Sequence, residues 1–231
     1  MRIITRPGAS QAIVYPDSDG KPMADNTRQF RWITVIKWGL DVMLRHDPEV
    51  FVAGDLLWYP VEGKPRIRMA PDALVAFGRP KGDRGSYRQW EEDGIAPQVV
   101  FEVLSPGNRP GELARKFSFY ERYGVEEYYQ YDPDHGHLKG WIRSGDRLEP
   151  VANMVGFVSP RLGITFQPGD GPDSLVILQP DGRPFLTQIE LTEQYEAEQR
   201  RVEEERRRAE EERQRAERYL AKLRELGIEP D

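Results

Sequence analysis

The chain has 231 residues, 38% of them hydrophobic and 31% charged, with a formal net charge of −6. It contains no cysteine, which excludes disulfides, thiolate catalysis and Cys-ligated zinc. Residues 190–231 hold 10 basic and 14 acidic side chains, leaving 23 and 25 to residues 1–189, so the body lacks the basic excess of a protein held on nucleic acid by charge alone.

The N-terminus has no signal-peptide apolar core, and no stretch approaches the ~18 apolar residues of a membrane span. A soluble cytoplasmic protein is the expectation. Residues 1–23 read as an extended arm with a turn at Pro16–Gly20. Asp25 or Asn26 can cap a helix running to about Arg45, with Phe30, Ile33, Trp38 and Val42, and Val35 and Leu40 nearby, as its apolar face. His46-Asp-Pro48 ends it. Phe51 to Tyr59 and Ile67 to Phe77 read as strands, the first with Gly54-Asp55 inside it.

Residues 78–97 form a long polar insertion of the kind often tied to function. Gln98 to Leu104 is a short apolar run between prolines, the pattern of a strand buried on both faces. Glu112 to Tyr123 reads as a helix stopped at Gly124, and Glu127 to Tyr131 as the next strand; the crossover-sized connection predicts a parallel pair. Leu138 to Arg143 and Arg147 to Val151 read as antiparallel additions, and Leu175 to Leu178 with Pro184 to Leu186 as a closing hairpin. From about Thr187 a long charged helix begins. Tyr195, Val202, Ala209, Ala216 and Leu223 recur every seventh residue, but the companion positions Glu198, Glu205 and Glu212 are charged, so a weak coiled coil and a lone helix both fit. The domain reading is an arm at 1–23, a domain at 24–187 and a charged helical tail at 188–231.

Three polar residues carry the chemistry. Asp72 opens the apolar run Ala73–Phe77, yet five other Pro-Asp pairs in the chain are turn chemistry, and Asp72 also fits a strand-start turn. Glu102 lies inside Val99–Leu104, where a carboxylate needs a partner; a salt bridge to a neighbour such as Arg115 would serve. If Asp72 and Glu102 lie on adjacent strands, their oxygens suit Mg²⁺ or Mn²⁺, and a water activated there would attack phosphorus. Lys116 shares a helix face with Glu112 and Tyr120; it fits a surface ion pair with Glu112, or a group that orients the attacking water, with Glu112 as an outer or additional ligand. Asp55 is a third acidic candidate, against a turn or edge role. Lys81, Arg84 and Arg88, interleaved with Tyr87 and Trp90, could clasp a nucleic-acid backbone or simply belong to a structured loop pinned by Trp90. His135 and His137 fit solvent better than metal. Ser105 lacks a nucleophile elbow.

Pro71-Asp-Ala-Leu-Val, Val100-Phe-Glu-Val-Leu-Ser-Pro106 and Glu112-x-x-x-Lys116-x-x-x-Tyr120-x-x-x-Gly124-Val-x-Glu-Tyr-Tyr-x-x-Asp132-Pro together resemble the Uma-two family of restriction-endonuclease-like proteins, within the PD-(D/E)XK nuclease superfamily. The resemblance spans about residues 20–190. It implies an α/β (mixed α+β) fold with a central mixed sheet flanked by helices, and a one- or two-metal nuclease site acting on nucleic acid, DNA foremost. The superfamily lysine two residues after the glutamate is replaced by Leu104; in this family it moves to the following helix, matching Lys116, and Glu112 stands where Asp is more frequent. The leading expectation is a Mg²⁺-dependent endonuclease using Asp72, Glu102 and Lys116. The rivals are a non-catalytic nuclease-fold scaffold that self-associates, as a homodimer, through the tail helix, and a metal hydrolase of small phosphoesters.

Overall fold

The computed structural model describes residues 13–18, 20 and 22–225. Most of the expected N-terminal arm therefore lies outside the described residues. The elements in chain order are α1 (Thr27–Met43), β1 (Val50–Ala53), β2 (Trp58–Tyr59), β3 (Ala73–Phe77), β4 (Tyr87–Arg88), β5 (Val99–Val103), α2 (Pro110–Arg122), β6 (Glu127–Asp132), β7 (His137–Ser144), β8 (Arg147–Pro150), β9 (Phe157–Val158), β10 (Thr165–Gln167), β11 (Val176–Leu178) and α3 (Gln188–Glu225). The chain divides into two units, Met1–Phe185 and Leu186–Asp231.

The first unit is built on a six-stranded sheet in the order β1-β3-β5-β6-β7-β8. Only β5 and β6 run parallel, joined through α2 as the crossover predicts; every other neighbouring pair is antiparallel. Alternation of side chains sorts the strands between two cores. Ala73, Val75, Val99, Phe101, Val103, Tyr129 and Tyr131 point to the face covered by α1 and by a small sheet β11-β10-β9. Leu74, Ala76, Val100 and Tyr128 point to the other face, where Trp58, Tyr87 and Tyr120 of α2 pack. All five residues of β5 are buried, so its run is continuous rather than alternating.

Local chemistry sets the helix ends. Asn26 caps α1 by accepting from the Gln29 amide at 2.8 Å. Pro110 opens α2, where its missing amide hydrogen costs no helical bond. Gly124 then leaves the helix with φ +95°, and the Arg143 guanidinium donates to the Glu121 carbonyl at 2.6 Å.

Several expectations are revised. The buried face of α1 is Trp32, Ile33, Val35, Ile36 and Leu40, while Phe30 and Trp38 are half exposed; α1 carries two apolar stripes, and the one with Gly39 faces the core because a Cβ there would meet the Phe185 ring at 2.3 Å. The strand expected at 51–59 breaks at Asp55, whose φ is +48°, into β1 and β2. Of residues 67–77 only Ala73–Phe77 is strand, with Met69 bridging to Trp58. The insertion at 78–97 holds β4, which pairs in parallel with β2, and a 3₁₀ turn at Gln89–Glu91. The expected closing hairpin contributes β11 and a single bridge from Leu178 to Pro184, and β11 pairs instead with β10.

The second unit is α3, a helix of 38 residues with none buried. Thr187 and Glu190 form a capping box at its start: the Thr187 amide donates to Glu190 Oε2 at 2.8 Å and the Glu190 amide to Thr187 Oγ1 at 3.2 Å. Among the described residues no helix is long and apolar enough to cross a membrane.

Candidate active site

Register brings Asp72 and Glu102 together. Ala73 of β3 stands opposite Phe101 of β5, so Asp72, one residue before the strand, falls opposite Glu102 on the α2 side of the sheet. The Val103 amide of β5 donates to Asp72 Oδ2 at 2.6 Å, so the carboxylate takes the place of a backbone carbonyl where β3 ends. Glu102 is 2% exposed and Asp72 8%. Burial foremost, then the charge of Glu102, holds the Asp72 carboxyl well above the ordinary aspartate range, against the opposing pull of Lys116 and the Val103 amide.

The four-residue spacing on α2 lays Glu112, Lys116 and Tyr120 along one helix face over these carboxylates. Lys116 Nζ donates to Glu102 Oε2 at 2.5 Å, and the Tyr120 hydroxyl donates to Glu102 Oε1. The buried partner of Glu102 is thus Lys116 rather than Arg115. Burial depresses the lysine, but the charges of Glu102 and Asp72 outweigh it, and Lys116 titrates above its usual value. Burial, reinforced by Glu102, also pushes the Tyr120 phenol far up, so it stays protonated and donates.

Gln130 of β6 is a neighbour that sequence reading missed. It pairs in register with Glu102, is 7% exposed and donates to the Tyr128 hydroxyl at 3.1 Å. Its signal was available: an amide inside Tyr128-Tyr-Gln-Tyr131, on the same side of the strand as Tyr128, is as unusual as Glu102 in its own run.

These groups border a cleft of about 560 Å³ lined by Asp25, Asp55, Asp72, Glu112 and Lys116 and by Arg66, Arg68 and Arg115. The left-handed turn at Asp55 positions that side chain: its amide donates to the Pro71 carbonyl at 3.1 Å, and its charge contributes to raising Asp72. The loop cations are placed elsewhere. Arg84 binds Glu92 and lies over the Phe51 ring, Lys81 donates to the Val50 carbonyl at 2.9 Å, and Arg88 pairs with Glu91 and lies over Tyr15. Trp90 packs against Tyr15 with ring centroids 5.0 Å apart and the planes tilted by 50°. None of the three cations lines the cleft; the cations that do, Arg66, Arg68, Arg115 and Lys116, lie on the β2–β3 connection and on α2. His135 is exposed and contacts Asp132. Among the described residues no three His, Cys, Asp or Glu side chains form a ready metal cage.

The donor set nonetheless fits a hard divalent cation. Two carboxylates face each other across adjacent strands, one lines the cleft, and their mutual repulsion is what a cation between them would relieve.

Residues 21–167 match the family model described as "Uma2: Putative restriction endonuclease". A solved structure titled as a putative nuclease belonging to DUF820 from Anabaena variabilis ATCC 29413 is similar at 14% identity and a TM-score of 0.44, covering 62% of this chain and 78% of that one. No curated protein matches.

Proposed function

The chain belongs to the Uma2 family of restriction-endonuclease-like proteins, and from that premise we propose that it is a metal-dependent endonuclease hydrolysing phosphodiester bonds of nucleic acid, DNA foremost. The observation that carries the reading is the Asp72–Glu102–Lys116 cluster, assembled from β3, β5 and α2 at a cleft with three arginines. Asp72 and Glu102 would hold Mg²⁺ or Mn²⁺, with Asp55 and Glu112 as further oxygen donors from the cleft wall. When bound, such a cation supplies a Lewis acid and lowers the pKa of water at the phosphorus.

The chain's own residues do the rest. Lys116, held above its usual value by Glu102 and Asp72, donates hydrogen bonds, and from the cleft wall it would orient water and offset charge on a phosphate oxygen. Tyr120 anchors one Glu102 oxygen from the buried side and fixes the rotation of that carboxylate. Arg66, Arg68 and Arg115 offer planar donors suited to phosphate.

The test is cleavage of plasmid and oligonucleotide DNA with Mg²⁺ or Mn²⁺ by the full chain and by Asp72→Asn, Glu102→Gln and Lys116→Met. Each substitution is expected to abolish cleavage while circular dichroism remains that of the parent. Undiminished cleavage by all three folded variants would place the activity elsewhere.

A further inference from the structure

α3 extends for 38 residues, about 57 Å at 1.5 Å per residue, with none buried. Tyr195 is 66% and Val202 37% exposed, and with Ala209, Ala216 and Leu223 they mark one stripe at seven-residue spacing. Helices of this composition gain only a few tenths of a kcal/mol from each internal ion pair, so a long exposed stripe is a surface fit for a partner.

The charges beside the stripe identify that partner. On one flank, the positions four residues after Tyr195, Val202, Ala209 and Ala216 are Gln199, Arg206, Arg213 and Leu220, and beyond them lie Glu196, Glu203, Glu210 and Glu217. On the other, positions three residues after carry Glu198, Glu205 and Glu212, and beyond them lie Arg201, Arg208 and Arg215. The flanks are therefore mirror patterns of opposite sign, inner and outer rows alike. Pairs within each flank already link its two rows, such as Arg213 with Glu210 and Glu217, and Arg201 with Glu198.

Two copies related by a two-fold axis along the helix bring one flank of the first against the opposite flank of the second. Arg206 and Arg213 then face the Glu198, Glu205 and Glu212 row over the middle of the helix, and the outer rows are opposed in the same sense. A two-fold axis across the helix brings like flanks together, arginine row to arginine row. We propose that α3 is a homodimerisation helix that pairs in parallel and in register with a second copy of this chain, its direction chosen by flank charge and its strength limited by the alanines of the stripe. This holds independently of the nuclease reading.

The test uses the full chain. Light scattering over a concentration series is expected to show the mass rising from 26.7 kDa toward twice that value. The chain has no cysteine, so single introduced thiols report direction. Tyr195→Cys and Leu223→Cys should each cross-link to themselves under mild oxidation, whereas antiparallel pairing would join only Ala209→Cys to itself. Replacing Glu198, Glu205 and Glu212 with Arg should weaken self-association about tenfold, from several pairs of a few tenths of a kcal/mol each. Mixing that variant with the Arg206→Glu/Arg213→Glu variant should restore pairing, and far-ultraviolet circular dichroism of each confirms that the helix persists. A monomeric mass throughout, self-cross-linking only at Ala209→Cys, or dimers indifferent to charge reversal would overturn the proposal.

Discussion

Lys116→Met isolates the cation that the buried carboxylates depend on. The side chains of Lys116 and Glu102 are 14% and 2% exposed, and the amine lies 2.5 Å from Glu102 Oε2. Two unit charges 4 Å apart at an effective dielectric of 20 attract by about 4 kcal/mol, and removing one partner of a buried pair costs about 3–5 kcal/mol. Methionine keeps the length and apolar stem of lysine, so the loss chiefly reads the charge. On a unit of this size, ~4 kcal/mol lowers Tm by roughly 8–16 °C. The pH dependence makes the reasoning specific. The Asp72 carboxyl is already raised above its ordinary 3.8 by burial and by Glu102, and Lys116 opposes that rise. A group with a raised folded-state pKa contributes stability below its unfolded value and loses it as pH climbs through the folded one. Without Lys116 the Asp72 value climbs further, so the stability gap between parent and variant should be smallest near pH 4 and widen toward pH 8. Urea unfolding at pH 4, 6 and 8 measures it. A gap below about 1 kcal/mol that does not change with pH would refute the assignment of Lys116 as the neutralising group.

Gly39→Ala places a methyl where the Phe185 ring lies and should cost about 1–3 kcal/mol in thermal unfolding. Phe185→Ala alone should cost about 3–5 kcal/mol, and the double variant no more than Phe185→Ala; additive losses would show that the two residues do not share the space. Glu127 is 1% exposed and accepts from the Tyr129 hydroxyl at 2.9 Å, the Ser159 hydroxyl and the Arg161 amide, joining β6 to the turn after β9. Glu127→Gln should destabilise by about 1–3 kcal/mol in urea. Burial raises the Glu127 carboxyl despite those donors, so the parent loses this contribution as pH rises above 4.5 and the gap to Glu127→Gln should narrow; a gap that widens would contradict it.

What the sequence disclosed follows how local each signal is. The β5–α2–β6 segment was legible because a proline-bounded apolar run, a four-residue helical spacing and a stopping glycine lie within one stretch of chain. The meeting of Glu102 with Lys116 and Tyr120 was approached through the same spacing. The face of α1 was legible only in part: Ile33, Val35 and Leu40 are buried as expected, but Phe30 and Trp38 are as apolar as Trp32 and Ile36, and the deciding contact, Phe185 on Gly39, comes from 146 residues away. The break at Asp55 was hidden for a similar reason: its left-handed backbone is held by the Pro71 carbonyl of another segment. Arg66 and Arg68 of the cleft went unremarked because charge on a connecting loop looks alike whether it faces solvent or a cavity. The cations of the 78–97 loop drew attention through composition, yet Glu92, Glu91 and the Val50 carbonyl engage them.

The rung that Val103 gives to Asp72 rations that side chain. One oxygen is committed to the sheet, while both oxygens of Glu102 are engaged by Tyr120 and Lys116. A cation held here, as proposed, would meet few uncommitted carboxylate oxygens and would bring much of its own coordination with it. Calcium, which gathers six to eight oxygens and favours two-pronged carboxylates, is ill served by such a mouth; an ion that keeps several waters and takes one or two protein oxygens is well served. On the proposed reading, ion choice would be set in part by a backbone hydrogen bond to Asp72, one residue before β3 begins.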